Sequence, residues 1–333
     1  MLTSQGYYAS SLWERPTYDD ACEEAANEFG KILTGQAGEN LLLSSNLSWT
    51  LAQLPSAQAI TGPLWVQYEP ETLSNAYQLQ VACGATALVT ETAGCTSNLL
   101  GELDTNLSCH ELCDKAARAA YAASPRFVIG AITSAKIPVF SQDSPAARQA
   151  RALYKEQATA LVDAQVHALF ITDMTTIEDA LCAVLASRLV CSRPIICALD
   201  ATAFTASYNK TELSRAFKRL VDAGAEAIGL TNVFVSGCAQ SDVSAVLAAS
   251  SHASIPPTAH TLAQDLVSIA ASYGVGTLMT MCSHATDGPD DASEQAFLQI
   301  AHHAAQVHMS IIGAGKGSAL PHTAALSAGL LAM

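Results

Sequence analysis

Short apolar runs recur along this chain, and several end in a residue type that can do chemistry. These are Ser44 and Ser45, Glu91, Lys136, Asp173, Asp200, Asn232, the stretch Cys282 to His284, and Lys316. The carboxylates Glu91, Asp173 and Asp200 are candidates for holding an amino group or taking a proton. Lys316 and Lys136 stand out where 16 basic residues face 30 acidic ones. A lysine desolvated in a low-dielectric pocket attacks carbonyl carbon; one beside Asp173 or Asp200 remains a cation that pairs or binds an anion. Ser44, Ser45, Thr172, Asn232 and His284 are candidates for substrate binding through neutral donors and acceptors.

Soft ligands are also present. Cys238, Cys282 and His284 could form a Cys₂His metal site with an open position, against the plainer reading of a loop thiol and a surface histidine. Cys109 and Cys113 lie one helical turn apart and read as packing on an outer helix. His302, His303 and His308 read as exposed helix residues. Gly313 to Ser318 resembles a phosphate loop but lacks its full spacing, although its backbone N–H groups could meet an anion.

Something must position these residues. The segments Ala82 to Thr90 and Asp222 to Thr231 share a plan in which a helix ends, a Gly follows, and a short apolar run begins. Asp163 to Thr172 repeats the plan without the Gly. A Gly there suits the left-handed turn that closes many helices. Runs this short and apolar on both faces read as parallel strands covered by helices. Eight such runs lie near 40–45, 85–92, 126–133, 168–173, 194–199, 227–232, 275–281 and 310–313. Helical patterns fill the gaps, the clearest opening at Ser144-Pro145. Eight strand–helix units predict an α/β fold, a single (β/α)₈ barrel, over 39–333. Residues 1–38 form an N-terminal extension with a helix expected from Asp19 to Lys31. In such a barrel the residues just after each strand ring the active-site mouth, which gathers the candidates above at one end.

Composition narrows the class. Half of the 333 residues are hydrophobic and 14% are charged, with a net charge of −14, so a large core is expected. Without basic runs, a nucleic-acid partner is not expected. Nor is a membrane, since no apolar stretch approaches the length of a bilayer span. Ten scattered cysteines without a C-x-x-C pair, and no secretory signal pattern, point to reduced thiols and a cytoplasmic location.

Ser310 to Leu326, S-I-I-G-A-G-K-G-S-A-L-P-H-T-A-A-L, is similar to the last strand and loop of the homocysteine S-methyltransferase family, I-I-G-G-C-C-G-T-T-P-x-H-I-x-x-L. Asn40 to Ser45 resembles that family's opening strand, Gly84 to Ala93 its second, Ala168 to Thr175 its L-L-x-x-E-T segment, and Gly224 to Asn232 its G-A-x-x-I-G-x-N-C segment. The resemblance implies a barrel in which three cysteines hold a zinc ion that activates the homocysteine thiol. The matched positions here read Asn232, Gly315 and Lys316. The family's opening Asp-Gly becomes Ser44-Ser45, and its substrate-gripping Glu falls at Thr172, next to Asp173. No cofactor is therefore expected: zinc is absent from the matched positions, and a corrinoid would arrive only on a separate partner protein.

Three readings follow. The first is a diverged methyltransferase with a small-molecule substrate and an altered acceptor. The second is a lysine-dependent lyase or aldolase built on Lys316. The third is a barrel that has lost catalysis and serves as a binding subunit. A lost site should be plugged by its own side chains, whereas a working one keeps a pocket with convergent polar groups.

Overall fold

The computed structural model describes residues 20–52, 54, 60, 62–103, 105–204, 208–235, 258–282 and 294–332. Eight strands close into a parallel barrel in sequence order. They are β1 (Leu41–Leu43), β2 (Ala87–Val89), β3 (Phe127–Ile132), β4 (Ala168–Met174), β5 (Ile195–Asp200), β6 (Ala227–Phe234), β7 (Gly276–Cys282) and β8 (Ile311–Ala314). Closure is set by β1 against β8, with Leu41, Leu42 and Leu43 opposite Ile311, Ile312 and Gly313. An outer helix follows each strand. We label the N-terminal helix Asp20–Leu33 α1, and the outer eight α2 (Pro70–Ala82), α3 (Cys109–Tyr121), α4 (Pro145–Asp163), α5 (Ile177–Arg188), α6 (Lys210–Asp222), α7 (Ala259–Tyr273), α8 (Glu294–Gln306) and α9 (Leu320–Leu331).

Each expected strand is present, displaced by at most three residues at either end. The repeated helix-to-strand junction explains itself in backbone angles. Gly84 has φ 97° and Gly224 φ 112°, values that exclude most side chains, and the Gly-less junction puts Gln165 itself at φ 68°. The helix starts follow local chemistry as well. Ser144 caps α4 by accepting from the Ala147 N–H, with Pro145 in the first turn. Ser108 and Glu111 form a reciprocal capping box at the start of α3.

Two apolar regions result from the strand alternation. Side chains such as Leu42, Val128, Ile171 and Ile312 point outward and pack with the helices. Leu41, Leu43, Phe127, Ile129, Phe170, Ile196 and Ile311 fill the barrel interior. Phe29, Ile32 and Leu33 of α1 join that interior cluster, so α1 closes the end of the barrel opposite the mouth. Burying each of these three contributes about 1.5–3 kcal/mol. Small residues make room inside: a Cβ added at Gly229 would lie 2.2 Å from the Leu278 carbonyl oxygen. Near α1, His167 is buried with its Nδ1 accepting from the Val128 N–H at 3.0 Å. Burial, aided by the charge of Arg193, pulls its pKa down to about 4.

Among the described residues no helix is long and apolar enough to cross a membrane. Cys109 and Cys113 are buried in the layer between α3 and the barrel, as expected for packing. His302 and His303 depart from the reading of exposed residues, both being half-buried, while His308 is exposed as expected. The His303 ring lies 4.7 Å from that of His260 on α7.

Candidate active site

At the mouth, β4 and β6 both lose register with their neighbours. The β4–β5 pairing shifts between Ile171 and Met174, and the β6–β7 pairing between Leu230 and Val233. Each irregularity holds a non-glycine residue in the left-handed region, Asp173 at φ 56° and Asn232 at φ 57°. Asp and Asn tolerate this conformation better than most residues, because a short polar side chain bonds locally. Bulges of this kind redirect side chains at barrel rims.

Here they turn two side chains toward each other. Asn232 Nδ2 donates to Asp173 Oδ1 at 3.0 Å and to Asp200 Oδ2 at 3.2 Å. Its Oδ1 accepts from the Lys316 N–H at 3.3 Å, and its own N–H donates to Thr280 Oγ1 at 3.3 Å. The amide of Asn232 thus uses its oxygen and its nitrogen, and it links β4, β5, β7 and the loop after β8. Gly315 lies against it, where an added Cβ would come 3.1 Å from Asn232 Oδ1. Positions 232, 315 and 316, far apart in sequence, therefore meet at one point of the mouth.

The remaining candidates fall into groups. Ser44, Ser45, Glu91, Thr172, Asp173 and Asn232 line a mouth cavity of about 80 Å³. Taking about 10–15 Å³ per water, that is room for a molecule of a few heavy atoms. The Ser44 hydroxyl accepts from the Val89 N–H at 3.1 Å, tying β1 to β2. Ser45 is bound by Gln80 of α2, whose Oε1 accepts from the Ser45 N–H at 3.0 Å and whose Nε2 donates to the Ser45 hydroxyl. Glu91 is buried, and its N–H donates to the Tyr77 hydroxyl at 2.9 Å. That phenol is pushed well above its ordinary pKa by burial and by the Glu91 charge.

Asp200 is not among the residues lining the cavity. Its Oδ1 accepts from the Thr202 N–H at 3.0 Å and from the Thr202 hydroxyl at 2.7 Å, while Oδ2 takes the Asn232 amide. Both oxygens are engaged, which makes Asp200 a support for Asn232 rather than a proton acceptor facing the cavity. Lys316 Nζ stands 3.9 Å from Asp173 Oδ2 with its side chain 54% exposed, an ion pair at the mouth. Lys136 is exposed and lies outside the cavity lining.

Cys282, the last residue of β7, donates to the Asn232 carbonyl at 3.4 Å. Burial and the Asp200 charge push its thiol up to about 11, against the opposing charge of Lys316, so at neutral pH it is a thiol rather than a thiolate. Cys238 and His284, its partners in the alternative Cys₂His arrangement, lie outside the described residues. Among the described residues no three His, Cys, Asp or Glu side chains are grouped to hold a metal ion. His322 caps the start of α9, accepting from the Ala319 N–H at 3.0 Å.

Sequence reasoning missed Thr231. Its hydroxyl is 98% buried by residue, lines the cavity and has no hydrogen-bond partner. The dipeptide Thr231-Asn232 at the end of an apolar run was the available signal. Gln80 gave none, being a polar residue in mid-helix that turns out fully buried.

The model of the family described as homocysteine S-methyltransferase matches residues 32–329. The chain belongs to the homocysteine S-methyltransferase family. No curated protein matches the chain in sequence. Among solved structures, the metallated form of the homocysteine methyltransferase MmuM from Escherichia coli superposes with a TM-score of 0.63 at 13% identity, covering 89% of this chain and 99% of that one. The apo form of the same protein gives 0.59 at 13% identity, covering 87% and 96%. The carboxyl transferase domain of Rhizobium etli pyruvate carboxylase gives 0.51 at 9% identity, covering 87% of this chain and 43% of that one. At these identities the superpositions speak for the barrel alone. Family membership is carried by the sequence match.

Proposed function

We propose that this family member works without the three-thiolate zinc centre, as a methyltransferase-class barrel that binds a small polar molecule and does not activate a metal-bound thiol. The observation that carries this reading is the environment of Asn232. Where the family's first zinc thiolate is expected, an amide donates to Asp173 and Asp200; Gly315 offers no side chain, and Lys316 brings an ammonium in place of a thiolate, 3.9 Å from Asp173. Three such positions do not make a zinc site, because zinc needs anionic or neutral donor atoms and a lysine ammonium has no lone pair.

The cavity favours binding over a dead barrel, since polar residues from the ends of β1, β2, β4 and β6 line a space of about 80 Å³ that their own side chains leave unfilled. Lys316 is half-exposed and ion-paired, which favours a cationic structural role over that of a carbonyl nucleophile. We expect the purified protein, given homocysteine and a methylsulfonium donor, to form no methionine above the uncatalysed rate. Methionine formation that rises on adding zinc would overturn the reading.

A further inference from the structure

We propose that the mouth cavity is a recognition site for a small organic ammonium ion, a primary amine carrying no carboxylate beside it. The inference rests on the zinc-independent reading, because a metal cation at the mouth would reverse its electrostatics. Among the described residues, the charged side chains lining the cavity are Glu91 and Asp173, both negative. Lys316 lies outside that lining, half-exposed and paired with Asp173. A ligand carboxylate would therefore enter an acidic cavity without a lining cation to meet it, whereas an ammonium would be attracted.

Among apolar neighbours, the lining also carries the hydroxyls of Ser44, Thr90, Thr133, Thr172, Thr231 and Thr280. Hydroxyl oxygens accept from N–H donors, and an ammonium offers three of them. Most of these hydroxyls already hold the barrel together: Ser44 accepts from Val89, Thr133 from Gly94, and Thr280 from Asn232. Thr231 differs. Its Oγ1 is buried and unpartnered, and a buried hydroxyl left without a hydrogen bond is costly unless something fills it. The geometry thus places a carboxylate, Asp173, held at Oδ1 by Asn232 and 3.9 Å from Lys316 at Oδ2, beside a buried unpartnered hydroxyl, Thr231, in one small space also lined by Phe170.

The test is calorimetric titration of the intact protein with ethanolamine, with glycine, ethylene glycol and potassium chloride as comparisons. Ethanolamine carries the ammonium, glycine adds the carboxylate, ethylene glycol removes the charge, and potassium supplies charge alone. We expect ethanolamine to bind and the other three to bind at least about tenfold more weakly. We also expect Asp173→Asn and Thr231→Val each to weaken ethanolamine about tenfold, the effect of losing one charge-assisted bond, with Thr231→Ser restoring it. Asn tolerates the left-handed backbone at 173, and Val removes only the unpaired hydroxyl, so both variants should fold. Equal binding of glycine or potassium, no binding of ethanolamine, or unchanged affinity in either variant overturns the proposal. Zinc content, measured on the same protein, reads the zinc-independent reading separately.

Discussion

Asn232 and Asp173 lie on non-adjacent strands, yet both adopt a left-handed backbone at a register shift, and the Asn232 amide nitrogen stands 3.0 Å from the Asp173 carboxylate. Two backbone irregularities, each costing of order 1–3 kcal/mol, are held in place to make one side-chain contact. Strain of this kind accumulates where a fold positions a site. In this barrel the contact stands where the family's resemblance places a metal ligand.

Asn232→Asp tests that contact. It keeps the backbone preference but sets a third carboxylate against Asp173 and Asp200. We expect a loss of about 1–3 kcal/mol at neutral pH, measured by urea denaturation. The loss should shrink toward pH 5, as one of the three carboxylates takes up a proton and becomes a donor. A variant equally stable at both pH values would show that the amide's bonds contribute little.

His167 gives the fold a pH dependence of its own. In the unfolded chain the imidazole protonates near its ordinary pKa of 6.5; in the folded protein burial delays this to about 4. The unfolded state therefore binds more protons between those values, and stability falls as pH drops through the window from 6.5 to 4. The loss reaches about 3 kcal/mol at its lower end. Denaturation midpoints across that window should slope for the native chain and flatten for His167→Gln.

Gly229→Ala probes the tightness of the barrel wall. The new methyl carbon would sit 2.2 Å from the Leu278 carbonyl oxygen, and backbone cannot retreat as a flexible side chain would. A destabilisation of about 1–3 kcal/mol is expected, read as a lower melting temperature. An unchanged melting temperature would mean that β6 and β7 can separate freely.

The barrel was legible because its strands are buried on both faces. Runs such as Ile195 to Leu199 and Ala168 to Ile171 carry apolar residues without alternation, and glycines at 84 and 224 punctuate the helix ends. Strand-end residues Asp173 and Asn232 could be named as site candidates for the same reason. Their pairing was not legible, since it arises from register shifts that only the closed sheet imposes. Asp200 reads identically to Asp173 in sequence, yet Thr202 and Asn232 engage both its oxygens. Gln80 was invisible because its significance lies in a buried partner, whereas Thr231 carried a positional signal beside Asn232 but not the missing partner of its hydroxyl.

The convergence of positions 232, 315 and 316 predicts a gain of function. Asn232→Cys combined with Gly315→Cys and Lys316→Cys should bind about one zinc per chain, with the Asn232 change also relieving the 3.1 Å approach at Gly315. Uptake is read by elemental analysis of protein whose circular dichroism matches the native chain. A folded triple variant that takes up no zinc would show that these positions do not form a ligand set.

The most direct test of the zinc-independent account is the metal content of the native chain itself, expressed with added zinc and then dialysed. With an amide, a glycine and an ammonium at the matched positions, the account predicts less than about one tenth of a zinc per chain, and a melting temperature unchanged by chelators. About one tightly held zinc per chain, with a melting temperature that falls on chelation, would contradict it.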